Sequence, residues 1–227
     1  MLKKILMLAT ALLLWDSARP LPAQVANEGL ADKIIAAHKA NAALLKQYSW
    51  SSRTELLDTG TVKDTRIDLV SFGPDGQLQR TIVNDQSAPL PNGFLRRRVA
   101  ENERDRVERY MTGLGALFDQ YASPSAGKII DFMSTAQISA PDGNGILQLT
   151  GGGLIQPADS ITLSIDAKTR QATRIVINTM YNGDTVQVTA TFVKLPSGLT
   201  HLQYAEVTVP DKNMSLQVHN FDYNSNN

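Results

Sequence analysis

Cysteine is absent from the 227 residues. That absence excludes a disulfide framework and thiolate metal ligands, and it leaves no residue for acylation near the amino terminus. Histidine is scarce. His38, His201 and His219 are the only three, and no two stand at a metal-ligand spacing such as HxxxH. They read as surface or partly buried imidazoles, and no metal site is expected. Net charge is missing too, with 22 basic and 22 acidic side chains. Such a balance gives no global attraction for nucleic acid or anionic lipid.

Catalytic signatures are equally thin. No GxSxG elbow occurs, and Ser123, Ser125 and Ser197 stand beside Gly or Pro in turn contexts that explain them. Ala126-Gly127-Lys128 looks like the end of a phosphate-binding loop, but Ile129 stands where Ser or Thr would hold magnesium and Ala122 where the leading glycine belongs. Gly151, Gly152 and Gly153 follow a strand without opening a helix, which suits a bulge or a sheet bend. Asp64 with Asp68, or Asp166 with Asp184, would make a paired-carboxylate site if either pair met in a cleft. Each of the four also fits a turn or a solvated strand face. No catalytic residue and no cofactor is therefore assigned.

Long apolar runs are limited to one. Lys3 and Lys4 precede a largely apolar stretch from Ile5 to Trp15, and Leu21-Pro22-Ala23 ends in small residues, the three parts of a secretory signal over residues 1–23. Eleven residues rise about 17 Å as a helix, too little for a hydrocarbon core of about 30 Å. Ala26 is a second cleavage position of the same type, and an uncleaved anchor is the alternative. Removing the signal takes away Lys3, Lys4, Arg19 and Asp16 and leaves a net charge of −2. The expectation is a periplasmic or secreted protein with no integral membrane segment after processing.

What the chain does have is strand alternation and turn chemistry. From Ile146 to Tyr223, apolar residues fall on alternate positions: Ile161, Leu163, Ile165, then Val186, Val188, Ala190, Phe192, then Met214, Leu216, Val218. Asp166 to Arg170, Asn182-Gly183, Pro196-Ser-Gly198 and Pro210 to Asn213 connect them. Asn-Gly supplies the positive φ that a tight hairpin needs. Short connections predict an antiparallel meander of about six strands. Upstream, residues 28–47 read as a helix, with Leu30, Ile34, Ala37, Leu44 and Leu45 near one face. Strands follow at about 48–57, 62–72 and 77–84, with Arg53, Glu55, Lys63, Arg66 and Asp68 expected on a wet face.

A helical insertion over about 94–136 separates the two groups of strands. Its long helix, about 94–121, carries an apolar stripe of Val107, Tyr110, Met111, Leu114, Leu117, Phe118 and Tyr121. Its first half holds Arg96, Arg97 and Arg98, offset by acids such as Glu101 and Glu103, the composition of a solvated face. Gly113 and Gly115 weaken the helix or let it approach a neighbour closely. A shorter helix, about 125–136, completes the insertion.

The order of signal, helix, three strands, helical insertion and six strands resembles the periplasmic lipoprotein-carrier superfamily of Lol carrier and receptor proteins. The local parts of the likeness are helix 28–47 running into Tyr48-Ser-Trp50, the Phe72 to Gly76 turn, and Val186 to Phe192 followed by Leu195-Pro-Ser-Gly198. The resemblance implies an α+β fold, a curved antiparallel β-sheet forming a half-barrel of about nine strands covered by two or three helices, as a single domain over 24–227. It also implies a non-enzymatic carrier that holds acyl chains, and hence an acyl lipid or lipoprotein as ligand. No short motif carries a family residue's role onto a position here. The side chains expected to line the apolar cavity are Trp50, Val107, Met111, Leu114, Phe118, Leu163, Val188, Phe192 and Val218. A small cell-envelope enzyme on a cone-shaped α+β scaffold and an envelope interaction module using exposed sheet edges are the alternatives. Oligomeric state is not legible.

Overall fold

The computed structural model describes residues 25–87, 89, 92–122 and 126–226. The candidate signal and its first cleavage position lie outside them. Three strands come first, β1 (Tyr48–Asp58), β2 (Thr61–Phe72) and β3 (Leu78–Ser87). Seven follow the insertion: β4 (Gln137–Ile138), β5 (Ile146–Gly152), β6 (Ser160–Asp166), β7 (Ala172–Tyr181), β8 (Asp184–Lys194), β9 (Thr200–Val209) and β10 (Met214–Ser225). All ten form one antiparallel sheet in the order β3-β2-β1-β10-β9-β8-β7-β6-β5-β4. Two meanders are thus fused along one seam, β1 against β10, where Thr54 faces Val218 and Leu56 faces Leu216.

The sheet is open, because β3 and β4 form its two edges. It is also curved. Register shifts interrupt five pairings, at Ser49/Ser51, Leu56/Leu57, Ile67/Asp68, Ser164/Ile165 and Thr191/Phe192. An extra residue in one strand bends it and raises its twist. The turns follow their chemistry: Asn182 and Gly183 take φ of 53° and 87°, the two positive values of a type I′ hairpin. The strand beyond expectation is β4, only two residues long.

Three helices cover the inner face: α1 (Val25–Leu45), α2 (Phe94–Ala122) and α3 (Ala126–Thr135). The chain must pass from edge strand β3 to edge strand β4, nine inter-strand steps away, or about 43 Å along the sheet. A helix the length of α2 rises about as far. Its carboxyl-terminal half lies on the sheet, burying Met111, Leu114, Leu117, Phe118 and Tyr121 against Val186, Val188, Val207, Leu216 and their neighbours. Gly113 permits the approach, since a Cβ there would stand 1.8 Å from the Tyr181 hydroxyl. Gly151 likewise leaves room for the Phe132 ring of α3. The Tyr121 hydroxyl donates to Asp159 Oδ1 at 2.5 Å, and Thr179 Oγ1 donates to the same oxygen at 2.7 Å. α1 is tied by Asn41, whose amide bonds both backbone groups of Thr200 at 2.7 and 2.8 Å, and by Gln171 reaching the Ala37 carbonyl at 2.8 Å.

One expectation is overturned. Arg66 and Asp68 are not on the wet face: they are 4% and 0% exposed, while Leu69 is 48% exposed. The cause is register. Trp50 and Leu56 point inward on β1, and the hairpin places Val70, Asp68, Arg66 and Asp64 opposite Trp50, Ser52, Thr54 and Leu56. Directly opposed residues share a face, so the polar set of β2 goes inside. Arg53, Glu55 and Lys63 do lie on the outer face or at the hairpin end, and Arg53 and Glu55 pair at 3.8 Å.

Candidate ligand-binding site

A cleft of about 790 Å³ opens between α2 and the hairpin ends of the sheet. Leu56, Val107, Tyr110 and Met214 give it apolar walls, while Lys63, Asp64, Glu103, Arg104, Asp184 and Lys212 bring charge to it. Lys212 Nζ stands 3.0 Å from Asp184 Oδ2 and 5.1 Å from the centre of the Tyr110 ring. The Lys212 ammonium holds the Asp184 carboxyl below the usual carboxylate range. Burial, with the Asp184 carboxylate beside it, pushes the Tyr110 phenol up. Asp64 behaves in the opposite way to Asp184. Burial raises its pKa, although Ser87 Oγ donates to its Oδ1 at 3.0 Å.

Moving along the strands away from this cleft, the next inward residues after Leu56 and Asp64 are Thr54 and Arg66, then Ser52 and Asp68. Two residues of strand span about 7 Å, so this polar group begins one step beyond the cleft floor. Across the seam, Thr54 faces Val218 and Ser52 faces Asn220. Val218 belongs to an apolar cluster with Ala190, Phe192, Leu202 and Ala205, all from the sheet. Among the described residues no helix contributes an apolar side chain to that cluster. The inner face therefore has a buried apolar middle that α2 does not cover, bordered by a buried polar group. Arg66 donates to Asp68 Oδ1 from Nε and Nη2, both at 2.8 Å, and Arg80 Nη1 lies 3.8 Å from Asp68 Oδ2. Burial lowers the Arg80 pKa to about 10, which leaves it protonated at neutral pH.

The nine side chains expected in a cavity are distributed over this face. Val107 lines the cleft. Met111, Leu114 and Phe118 meet Val188 in the contact between α2 and the sheet. Phe192 and Val218 meet in the apolar middle. Trp50 sits at the α1 end with Leu45, Tyr48 and Val70, stacked 5.3 Å from Tyr223, and Leu163 packs on Leu147, Leu149 and Ile165. The carboxylate pairs do not form: Asp64 lines the cleft while Asp68 is locked to Arg66, and Asp184 lines it while Asp166 accepts the backbone N–H groups of Lys168 and Thr169 in its own turn. Among the described residues, no group of three metal-ligating side chains gathers and no helix is long and apolar enough to cross a membrane.

Sequence reasoning missed the polar group of Ser52, Thr54, Arg66, Asp68 and Asn220. A signal for it exists in the hairpin. Once Trp50 and Leu56 are taken as inward, Ser52 and Thr54 are inward by period, but unbroken pairing from Asp58 and Thr61 would set Thr65 and Ile67 opposite them, and it is the register shift at Leu56/Leu57 that brings Arg66 and Asp68 inside. The alternation of Ile67 and Leu69 on β2 argues for the opposite face and conceals it.

No protein-family model matches the chain, and none of the curated proteins matches it. Similar solved structures include the following two. A DUF1329 family protein from Desulfovibrio piger has 11% identity and a TM-score of 0.41, covering 89% of this chain and 94% of its own. A LolA superfamily protein from Nitrosomonas europaea has 8% identity and a TM-score of 0.36, covering 90% of this chain and 95% of its own. The likeness is one of overall layout at low sequence identity.

Proposed function

We propose that the protein is a non-enzymatic periplasmic carrier for a hydrophobic or acylated ligand, exported by the signal at 1–23 and built as one half-barrel domain over 24–227. The observation that supports this most is the apolar middle of the inner face. Ala190, Phe192, Leu202, Ala205 and Val218 are buried there, and among the described residues no apolar helix side chain joins their cluster. The cleft beside Val107 is its entrance. Each methylene of an acyl chain placed on this surface contributes about 0.8 kcal/mol. In this reading Phe192 and Val218 form the floor. Met111, Leu114, Phe118 and Val188 receive the chain as α2 shifts outward, with Trp50 and Leu163 at the two ends.

The test is to express the processed protein, extract it under native conditions and identify by mass spectrometry the apolar compounds that co-purify. A stoichiometric acyl lipid is the expected result, and substitution of Phe192 by Ser is expected to reduce its occupancy at least several-fold. A protein that emerges empty and binds no added acyl probe refutes the carrier reading.

A second reading has one observation in its favour. Edge strand β3 is ten residues long, has no partner on its outer side among the described residues, and leaves Ile82 and Val83 39% and 67% exposed. Such an edge can accept a strand from another protein. A stable partner in a pull-down, lost when Val83 is replaced by Pro, would favour an envelope interaction module.

A further inference from the structure

Among the described residues the three most exposed large apolar side chains are Leu95 at 76%, Phe94 at 75% and Val99 at 69%, and they stand together in the first two turns of α2. Arg96, Arg97 and Arg98 are interleaved with them and are exposed as well. With 3.6 residues per turn, Phe94, Arg98, Leu95 and Val99 span about 140° of the helix circumference, and Arg97 and Arg96 border that arc on its two sides. Ala100, Arg104 and Val107, which line the cleft, fall on the opposite side. The patch therefore points away from the sheet, on the back of the helix that walls the cleft.

Folding explains neither half of this composition. A solvated helix face gains nothing from Phe, Leu and Val, and an exposed apolar patch marks an interaction site. The first turn of α2 holds no acidic side chain, and arginines there oppose the helix macrodipole, which an acid would complement. Glu101 bonds Arg97 at 2.9 Å and Glu103 bonds Arg106. Among the described residues Arg96 and Arg98 have no ion-pair partner. Asp105, the next acid on the side of the patch, lies about 9 Å further along the axis than Val99. Two uncompensated guanidiniums thus share an exposed face with three apolar side chains.

That mixture selects the occupant. A second copy would set arginines against arginines. A protein interface would take Arg98 out of water in the middle of the patch, which is costly without an acid beside it. At a lipid surface Arg98 lays its stem among the apolar side chains while its guanidinium stays at the level of the phosphates. We propose that the first two turns of α2 dock on an anionic phospholipid surface, with Phe94, Leu95 and Val99 entering the interfacial layer and Arg96 and Arg98 contacting phosphates. With 22 basic and 22 acidic side chains the whole chain is not drawn to such a surface, so the attraction is local and orients the molecule. The cleft then stands about one helix diameter from the lipid. The docking surface stands on its own side chains; its use, passage of an acyl ligand between membrane and cleft, rests on the carrier reading.

The test is flotation of the processed protein with vesicles of phosphatidylcholine alone and of equal parts phosphatidylcholine and phosphatidylglycerol. At low salt the mixed vesicles are expected to bind at least about tenfold more tightly, the ratio that two arginines near an anionic surface support. Added salt should narrow it. Phe94→Ser with Leu95→Ser, and Arg96→Gln with Arg98→Gln, change exposed side chains only. Both pairs are expected to keep the melting temperature and to weaken binding to mixed vesicles by about tenfold or more. Phe94→Trp reports the contact directly, through a shift of its emission to shorter wavelength on mixed vesicles. Wild-type protein that stays unbound to mixed vesicles overturns the docking surface, as does either pair of substitutions that leaves binding unchanged. A protein captured through these residues, with vesicles unbound, overturns it in favour of a protein interface. Acyl binding is read in parallel. Protein that floats but neither holds nor binds an acyl probe refutes the carrier reading and leaves the docking surface standing, and protein that holds an acyl lipid but does not float does the reverse.

Discussion

His201 lies in the interior at 4% exposure, its ring 3.8 Å from that of Tyr223 and its Nδ1 3.2 Å from the Leu202 carbonyl oxygen. Burial holds the imidazole pKa below its ordinary value. The unfolded chain, with an ordinary value of about 6.5, therefore takes up the proton first as pH falls. Stability that is fully present above about pH 6.5 is lost as pH drops through the window between that value and the lowered folded one. The urea midpoint is expected to hold between about pH 8 and 7 and to decline below about 6.5. His201→Phe should remove this residue's share of the decline. It orphans no acceptor, because Asn220 Nδ2 and the Tyr223 hydroxyl also donate to the Leu202 carbonyl at 3.1 and 3.3 Å. Identical pH profiles for the two proteins would show that His201 does not titrate in this window. Nothing local in the sequence marks this imidazole as buried, since its environment comes from Tyr223 on another strand.

For the elements, the strand and helix periods were sufficient. The expected spans 48–57, 62–72 and 94–121 differ by one residue at most from β1, β2 and α2 at each end, because alternation and turn residues are local properties of the chain. Helix contacts are a different matter. Gly113 could be read only as a weak point or a place of close approach, and the neighbour it approaches is Tyr181, on the far side of the insertion. In an isolated helix Gly113→Ala would add about 1 kcal/mol of stability. Here the new methyl meets the Tyr181 hydroxyl, and a net loss of about 1–3 kcal/mol is expected from overpacking. Adding Tyr181→Phe should recover most of it. Thermal melts of the two single variants and the double variant decide the point, and a stabilised Gly113→Ala would mean that α2 does not lie where the close approach requires.

At the scale of the molecule, stability depends on one seam. β10 joins the two meanders, and its inward Leu216 and Val218 have neighbours on both β1 and β9. A chain ending at Asn213 exposes two strand edges and separates the polar group from the apolar middle. It is expected to lose cooperative unfolding, whereas Val83→Lys on edge strand β3 should change stability by no more than about 0.5 kcal/mol. Denaturant curves of the two variants test the contrast. A cooperative transition in the shortened chain would show that the meanders stand alone.

The sequence by itself determined the antiparallel sheet, the two groups of strands, the helical insertion between them and the apolar faces, because these follow from side-chain period and turn chemistry within short windows. Only the tertiary structure decided that the last strand closes against the first, and that a register shift at Leu56/Leu57 sets which face of β2 is inside. The physical reason is the strand period of two: a shift of one residue in the pairing of β1 with β2 exchanges the two faces of β2 beyond it. That choice buried Arg66 and Asp68 beside Val218 and turned an expected solvated strand into the polar border of an apolar face.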